Sequence, residues 1–259
     1  MVLYLLIGGL GLFTGFLSGM LGIGGGIIMA PLLLYVPPCF GYAPFTMHVV
    51  VGLTIVQGVI ACLSGALVHR KFHFVSWQLT AWMGTTIFLS ALIGGAAAGW
   101  LKNSALLFLF AILALFASLL IFYPTRADSE DPDLKLLTFS RTRAVFVSGT
   151  VGLLGGMVGQ GGSFLLIPLM TSFLQIPTRI AIGSNMGIVL LSSLACLLGK
   201  AITGQINWIL AIPIALTVFP AARLGGLFSR RVPVAGLRLI LAVCIAVAAL
   251  RMGISAFTG

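Results

Sequence analysis

Eight apolar runs, each of twenty residues or more, occupy roughly 3–35, 44–68, 75–100, 104–123, 144–174, 177–199, 206–229 and 235–256. About 20 apolar residues is the length a helix needs to cross the hydrocarbon of a bilayer. Charge is correspondingly scarce, with 14 Lys and Arg and four Asp and Glu among 259 residues. A water-soluble domain of this size could not clothe its surface so thinly, so the chain reads as an all-α polytopic membrane protein whose first partner is the lipid bilayer. The formal charge of +10 does not mark a nucleic-acid binder, because the bases flank apolar runs. The start, "MVLYLLIGG", lacks the basic residues of a cleaved signal peptide. Cys39, Cys62, Cys196 and Cys244 are scattered without CxxC spacing, which suggests neither a disulfide framework nor a zinc site, and no cofactor or metal is expected.

One polar stretch, "TRADSEDPDLKLLTFSRTR", separates the fourth run from the fifth and holds every carboxylate, at Asp128, Glu130, Asp131 and Asp133. It reads as a linker, 124–143, between a first membrane repeat, 1–123, and a second, 144–259. The two parts match in sequence. A shift of 137 places Gly15, Gly19, Met20, Gly22, Gly24, Gly25 and Pro31 on Gly152, Gly156, Met157, Gly159, Gly161, Gly162 and Pro168. Shifts of 134 and 131 pair Cys62 with Cys196, Gly65 with Gly199, Trp77 with Trp208, and Gly94-Gly95 with Gly225-Gly226. Internal duplication of this kind is a common construction of secondary transporters.

Run 1 is too long. As one helix it would extend about 50 Å against a hydrocarbon core of about 30 Å, so it must break, and Gly24, Gly25 and Gly26 sit where it breaks. Each repeat is therefore expected to begin with a Gly-broken crossing helix or a re-entrant pair. If all eight runs cross, the basic residues divide 8 to 6 between the two sides; if runs 1 and 5 are re-entrant they divide 11 to 3, leaving only Lys102, Lys200 and Arg251 opposite. The positive-inside rule favours the second arrangement, with inverted repeats, a cytoplasmic linker and both termini outside.

A break at membrane depth survives only where it is buried or faces a polar cavity. Glycine there supplies unusual dihedrals and allows an anion close to main-chain N–H groups. Half-helices starting near Ile27 and Phe164 would add the positive ends of their dipoles. The candidate substrate-binding residues are accordingly Gly24, Gly25 and Gly26 at one tip and Gln160, Gly161, Gly162 and Ser163 at the other. Tight helix packing is the alternative role, expected for Gly15-x-x-x-Gly19, Gly95-x-x-x-Gly99 and Gly152-x-x-x-Gly156.

"GFLSGMLGIGGGIIMAPLLL", its copy "GGMVGQGGSFLLIPL" after the linker, and the Gly-rich third run of each half resemble the sulfite exporter TauE/SafE family of membrane permeases over nearly the whole chain. The resemblance implies a transporter of small sulfur-containing anions, such as sulfite, sulfonates, sulfoacetate or thiosulfate, in the cytoplasmic membrane. The second copy departs from the first, with Gln160 for Ile23 and Ser163 for Gly26.

The residues favour an anion independently. No carboxylate lies in an apolar run, so none is available to hold a cation or relay protons at membrane depth. Neutral polar residues do occur there: Thr54 and Gln57 in run 2, and Ser184 and Asn185 in the "GSNMG" of run 6. Asn185 is about 12 Å along its helix from Pro177, near the midplane. Gln57, Ser184 and Asn185 join the candidate site, with interhelical hydrogen bonding as their other possible role. His48, His69 and His73 sit near the ends of runs and read as interfacial. A passive anion channel is a rival reading. An intramembrane hydrolase using Ser18 of "GFLSG" is a weak one, since the second repeat has Gly155 there and no acid could orient a histidine.

Overall fold

The computed structural model describes residues 2–71, 74–121, 134, 137, 139–158, 162–202 and 206–258. Runs 2, 3, 4, 6, 7 and 8 each form one principal helix: α3 (Met47–Lys71), α4 (Trp77–Ala97, extended by a short 3-10 turn), α5 (Asn103–Ile121), α8 (Thr178–Ile202), α9 (Trp208–Ser229) and α10 (Val234–Thr258). Runs 1 and 5 each break in two, into α1 (Val2–Leu21) with α2 (Gly26–Cys39) and α6 (Arg141–Val158) with α7 (Ser163–Ser172). The described residues are helical with connecting turns, and six helices, α1, α3, α4, α8, α9 and α10, contain stretches long and apolar enough to span a bilayer. The chain is a multi-pass membrane protein. Most of 124–143 lies outside the described residues.

Each hairpin packs on the third long helix of the other half: α1 lies along α9, and α6 along α4. Small residues make this possible. A Cβ built on Gly15 would lie 3.0 Å from the Val218 Cα, one on Gly19 would strike the Ala222 backbone, and one on Gly156 would lie 2.6 Å from the Ala91 carbonyl oxygen. The backbones thus approach at distances that only glycine permits. Gly94, rather than Gly95, serves α4: a Cβ on Gly94 would strike Leu153, whereas one on Gly95 would meet nothing closer than 3.9 Å.

The register of these contacts gives the helix directions. Gly8 faces Pro213 and Thr217, Gly15 faces Val218 and Gly19 faces Ala222, so α1 and α9 run parallel. Ser64 Oγ donates to the Phe219 carbonyl at 2.9 Å and Gly226 faces Val68, so α9 is parallel to α3 as well. Hence α1 and α3, successive long helices, point the same way, and α2 carries the chain back. Gly149 facing Thr86 and Gly156 facing Ala91 set α6 parallel to α4, Gly187 facing Thr80 and Gly84 facing Leu191 set α4 parallel to α8, and α7 is the returning arm. Gly58 faces Ser193 and Gly65 faces Met186, so α3 and α8 are antiparallel. At 14 and 10 residues, α2 and α7 reach only about 21 and 15 Å. Runs 1 and 5 are therefore helical hairpins with one long arm and one short arm.

The short arms are held from outside by α10 and α5. Phe164 of α7 stacks on Phe110 of α5 at 5.7 Å, and the Arg251 guanidinium of α10 lies 4.4 Å over the Tyr35 ring of α2.

Candidate functional site

The first break is a turn in which Gly22, Gly24 and Gly25 have φ of 74°, 66° and 78°. Three left-handed residues within four positions explain the glycines, because a Cβ in that conformation costs about 1–2 kcal/mol each. Gly25 caps α2, its carbonyl accepting from the Ile28 and Met29 N–H groups at 3.2 and 3.0 Å. At the second break Gly162, φ 70°, caps α7 and accepts from Leu165 and Leu166 at 3.0 and 3.1 Å. The half-helices begin at Gly26 and Ser163, one residue earlier than the sequence suggested. Gln160 and Gly161 lie outside the described residues.

Capping separates these two helices from their neighbours. Ser76 and Asn207 cap α4 and α9 with side-chain oxygens that accept from Leu79 and Leu210 N–H at 3.4 and 3.2 Å. The caps of α2 and α7 are glycines with no side chain to offer. The first two N–H groups of each short helix, at Gly26 and Ile27 in α2 and at Ser163 and Phe164 in α7, consequently meet no capping side chain, and the positive ends of both dipoles are uncovered by side chains.

Asn185 joins the two tips. Its Nδ2 donates to the Gly22 carbonyl at 2.6 Å and to the Ser163 carbonyl at 3.1 Å. A Cβ on Gly24 would lie 3.5 Å from Ser163 Oγ and 3.4 Å from Cys62 Sγ, so the first turn sits directly against the start of α7. Gln57 lies against Gly25 and donates through Nε2 to Thr14 Oγ1 at 2.9 Å; Thr14 in turn donates to the Leu10 carbonyl at 2.7 Å. Ser18 is the other wall beside Gly25. Thr14, Ser18, Gln57 and Asn185 are all 0% exposed, so these four side chains are shut off from solvent.

Gly24, Gly25, Gly26, Gln57, Gly162, Ser163 and Asn185 thus come together. Ser184 does not join them. One residue along α8 from Asn185, it is turned toward the loop before α4, where its Oγ accepts the Ser76 N–H at 2.9 Å. That bond and the contact of Gly183 with the Phe74 backbone pin residues 74–76, just before α4, onto α8.

Several contributors were not legible in advance. Ser18, considered only as a nucleophile, has a hydroxyl without a hydrogen bond and stands beside Gly25, and Thr14 accepts from Gln57. His69, in the last turn of α3, is 2% exposed, with Nε2 3.0 Å from the Gly19 carbonyl. Arg179 reaches from the start of α8 to the Ser229 and Val232 carbonyls at the end of α9, at 3.4 and 3.2 Å, and lies over the Phe74 ring. Their signal was weak because each depends on a partner forty or more positions away or on helix rotation.

Chemically, the tips offer backbone donors and dipole ends in a dry setting with no carboxylate among the residues that form them, an arrangement suited to a small anion. Comparison with known proteins agrees with a transport role. The chain is 23% identical to the probable membrane transporter protein YunE of Bacillus subtilis over 86% of its own length and 87% of the relative's. It is 26% identical to a probable membrane transporter protein of Haemophilus influenzae over 97% of both, and 28% identical to one of Xylella fastidiosa strain Temecula1 over 86% and 84%. No solved structure gives a significant match. The family model described as sulfite exporter TauE/SafE matches residues 7–252, and with that match over nearly its whole length the chain belongs to this family of membrane transporters rather than to any class of enzyme.

Proposed function

We propose that the protein is a secondary transporter of small sulfur-containing anions across the cytoplasmic membrane, working by alternating access. The observation that carries this reading is the meeting of two glycine-capped helix N-termini, α2 and α7, bridged by Asn185 inside the protein. Each tip contributes roughly half a positive charge and first-turn N–H donors to one buried place. The family name and the probable transporter relatives support the direction of the reading; the sulfur anion is chosen on the family description. The antiparallel course of α3 and α8 supports inverted repeats, and the 11 to 3 division of basic residues supports a cytoplasmic linker with both termini outside.

Complete burial of Gln57 and Asn185 favours an occluded carrier over an open anion channel. Counterflow in proteoliposomes tests this: labelled sulfite uptake should accelerate when the vesicles are preloaded with unlabelled sulfite. Uptake that is indifferent to preloading would indicate a channel.

A further inference from the structure

We infer, on the basis of the anion-transport reading above, that the site takes oxyanions carrying a hydrogen-bond donor of their own, a protonated or hydroxyl-bearing or ammonium-bearing anion, and selects against those offering acceptors only. Two buried amides, Asn185 and Gln57, carry this inference. Both N–H groups of Asn185 are committed to the Gly22 and Ser163 carbonyls, so its Oδ1 must point away from them. Thr14 gives its own proton to the Leu10 carbonyl and accepts from Gln57, whose amide nitrogen is thereby turned to Thr14 and whose Oε1 is turned elsewhere. Flipping Asn185 would set its oxygen against two carbonyl oxygens.

Both carbonyl oxygens are left buried and without a hydrogen bond, at residues 0% exposed. They flank the same Gly22–Gly25 turn, Gln57 against Gly25 and Asn185 against Gly22. Ser18 Oγ, likewise buried and without a hydrogen bond, stands beside Gly25 and can serve as donor or acceptor. Native proteins rarely strand buried acceptors, and those that exist call for an explanation. The first-turn N–H groups of α2 and α7 supply donors to the oxygens of an anion; the two amide oxygens require a donor in return. An anion with lone pairs only would face Gln57 Oε1 and Asn185 Oδ1 in repulsion. A hydrogen sulfite, or a sulfonate bearing a hydroxyl or ammonium, answers both halves of the site.

The test is competition for labelled sulfite uptake in proteoliposomes, using methanesulfonate, which has no donor, and isethionate, which keeps one hydroxyl at every pH. Isethionate should compete about tenfold better, the cost expected of stranding a buried acceptor. Sulfite itself should be transported better on the acid side of neutrality, where the monoprotonated form dominates. The titratable and charged side chains on the elements around the tips include Cys62 and His69 of α3, Arg179, Cys196 and Lys200 of α8, Arg223 of α9, and Tyr35 of α2. Isethionate uptake controls for them, because its charge and its donor do not change across that range, and it should stay flat. Gln57→Leu should bring the isethionate to methanesulfonate ratio toward one, whatever its absolute rate. Equal competition in the wild type, or isethionate uptake that follows pH as sulfite does, overturns the inference while leaving anion transport standing. Failure of every sulfur anion to be transported overturns the transport reading itself.

Discussion

At the scale of single residues, glycine has two physically distinct uses in this chain. Gly25 and Gly162 need a left-handed backbone, whereas Gly8 is an ordinary helical residue whose added Cβ would lie 3.5 Å from Thr217, in normal contact. Alanine should therefore act with opposite signs. At Gly8 it should be neutral or stabilising by up to about 1 kcal/mol through helix propensity. At Gly25 and Gly162 it should cost about 1–2 kcal/mol in backbone strain. Its Cβ would press on Gln57 at the first position and lie 2.7 Å from the Val151 carbonyl at the second. Uptake should fall at least about tenfold in Gly25→Ala and Gly162→Ala if a tip shifts by even a fraction of an ångström. Uptake assays beside thermal unfolding in detergent read both effects. Raised stability with full transport at 25 and 162 would return these glycines to a packing role.

At the scale of elements, the helices divide into those held by side chains and those held by closeness. The hairpin arms α1 and α6 owe their seats on α9 and α4 to small residues, since between helices in lipid the attraction comes from packing rather than from water exclusion. The pair Gly94 and Gly95 isolates this effect, because they are adjacent in one helix and differ only in what they face. Gly94→Ala should lower stability by about 1–3 kcal/mol, the usual cost of overpacking. It would drive a methyl into the Leu153 carbonyl, whereas Gly95→Ala would find room. Equal thermal midpoints for the two variants would contradict the α4–α6 contact.

At the scale of the whole molecule, the parallel course of α1 and α3 and the antiparallel course of α3 and α8 constrain how the chain can sit in a membrane. Single cysteines placed in the linker and beside Lys102, in a background lacking Cys39, Cys62, Cys196 and Cys244, should label from opposite faces. Reagents that do not cross the membrane should reach tags at both termini from outside. A cytoplasmic C-terminus would overturn the inverted arrangement, because one crossing too many would then separate the linker from the end of α10.

The membrane class and the position of both breaks could be read from the sequence alone, because they depend on local quantities: how many apolar residues run together, and where glycine interrupts them. The eight runs recur as helices, and the breaks fall at Gly22–Gly25 and just before Ser163. Duplication was legible too, since Gly-x-Gly-Gly followed by proline recurs at a fixed shift. Which side of a helix a residue faces was not legible in runs apolar all round, and so Ser184 and Asn185, neighbours in sequence, separate to different partners. Gly94 and Gly95 part in the same way. Pairing between distant segments was hidden as well: only the packed structure sets Asn185 between Gly22 and Ser163, and that bridge brings the two separate breaks together.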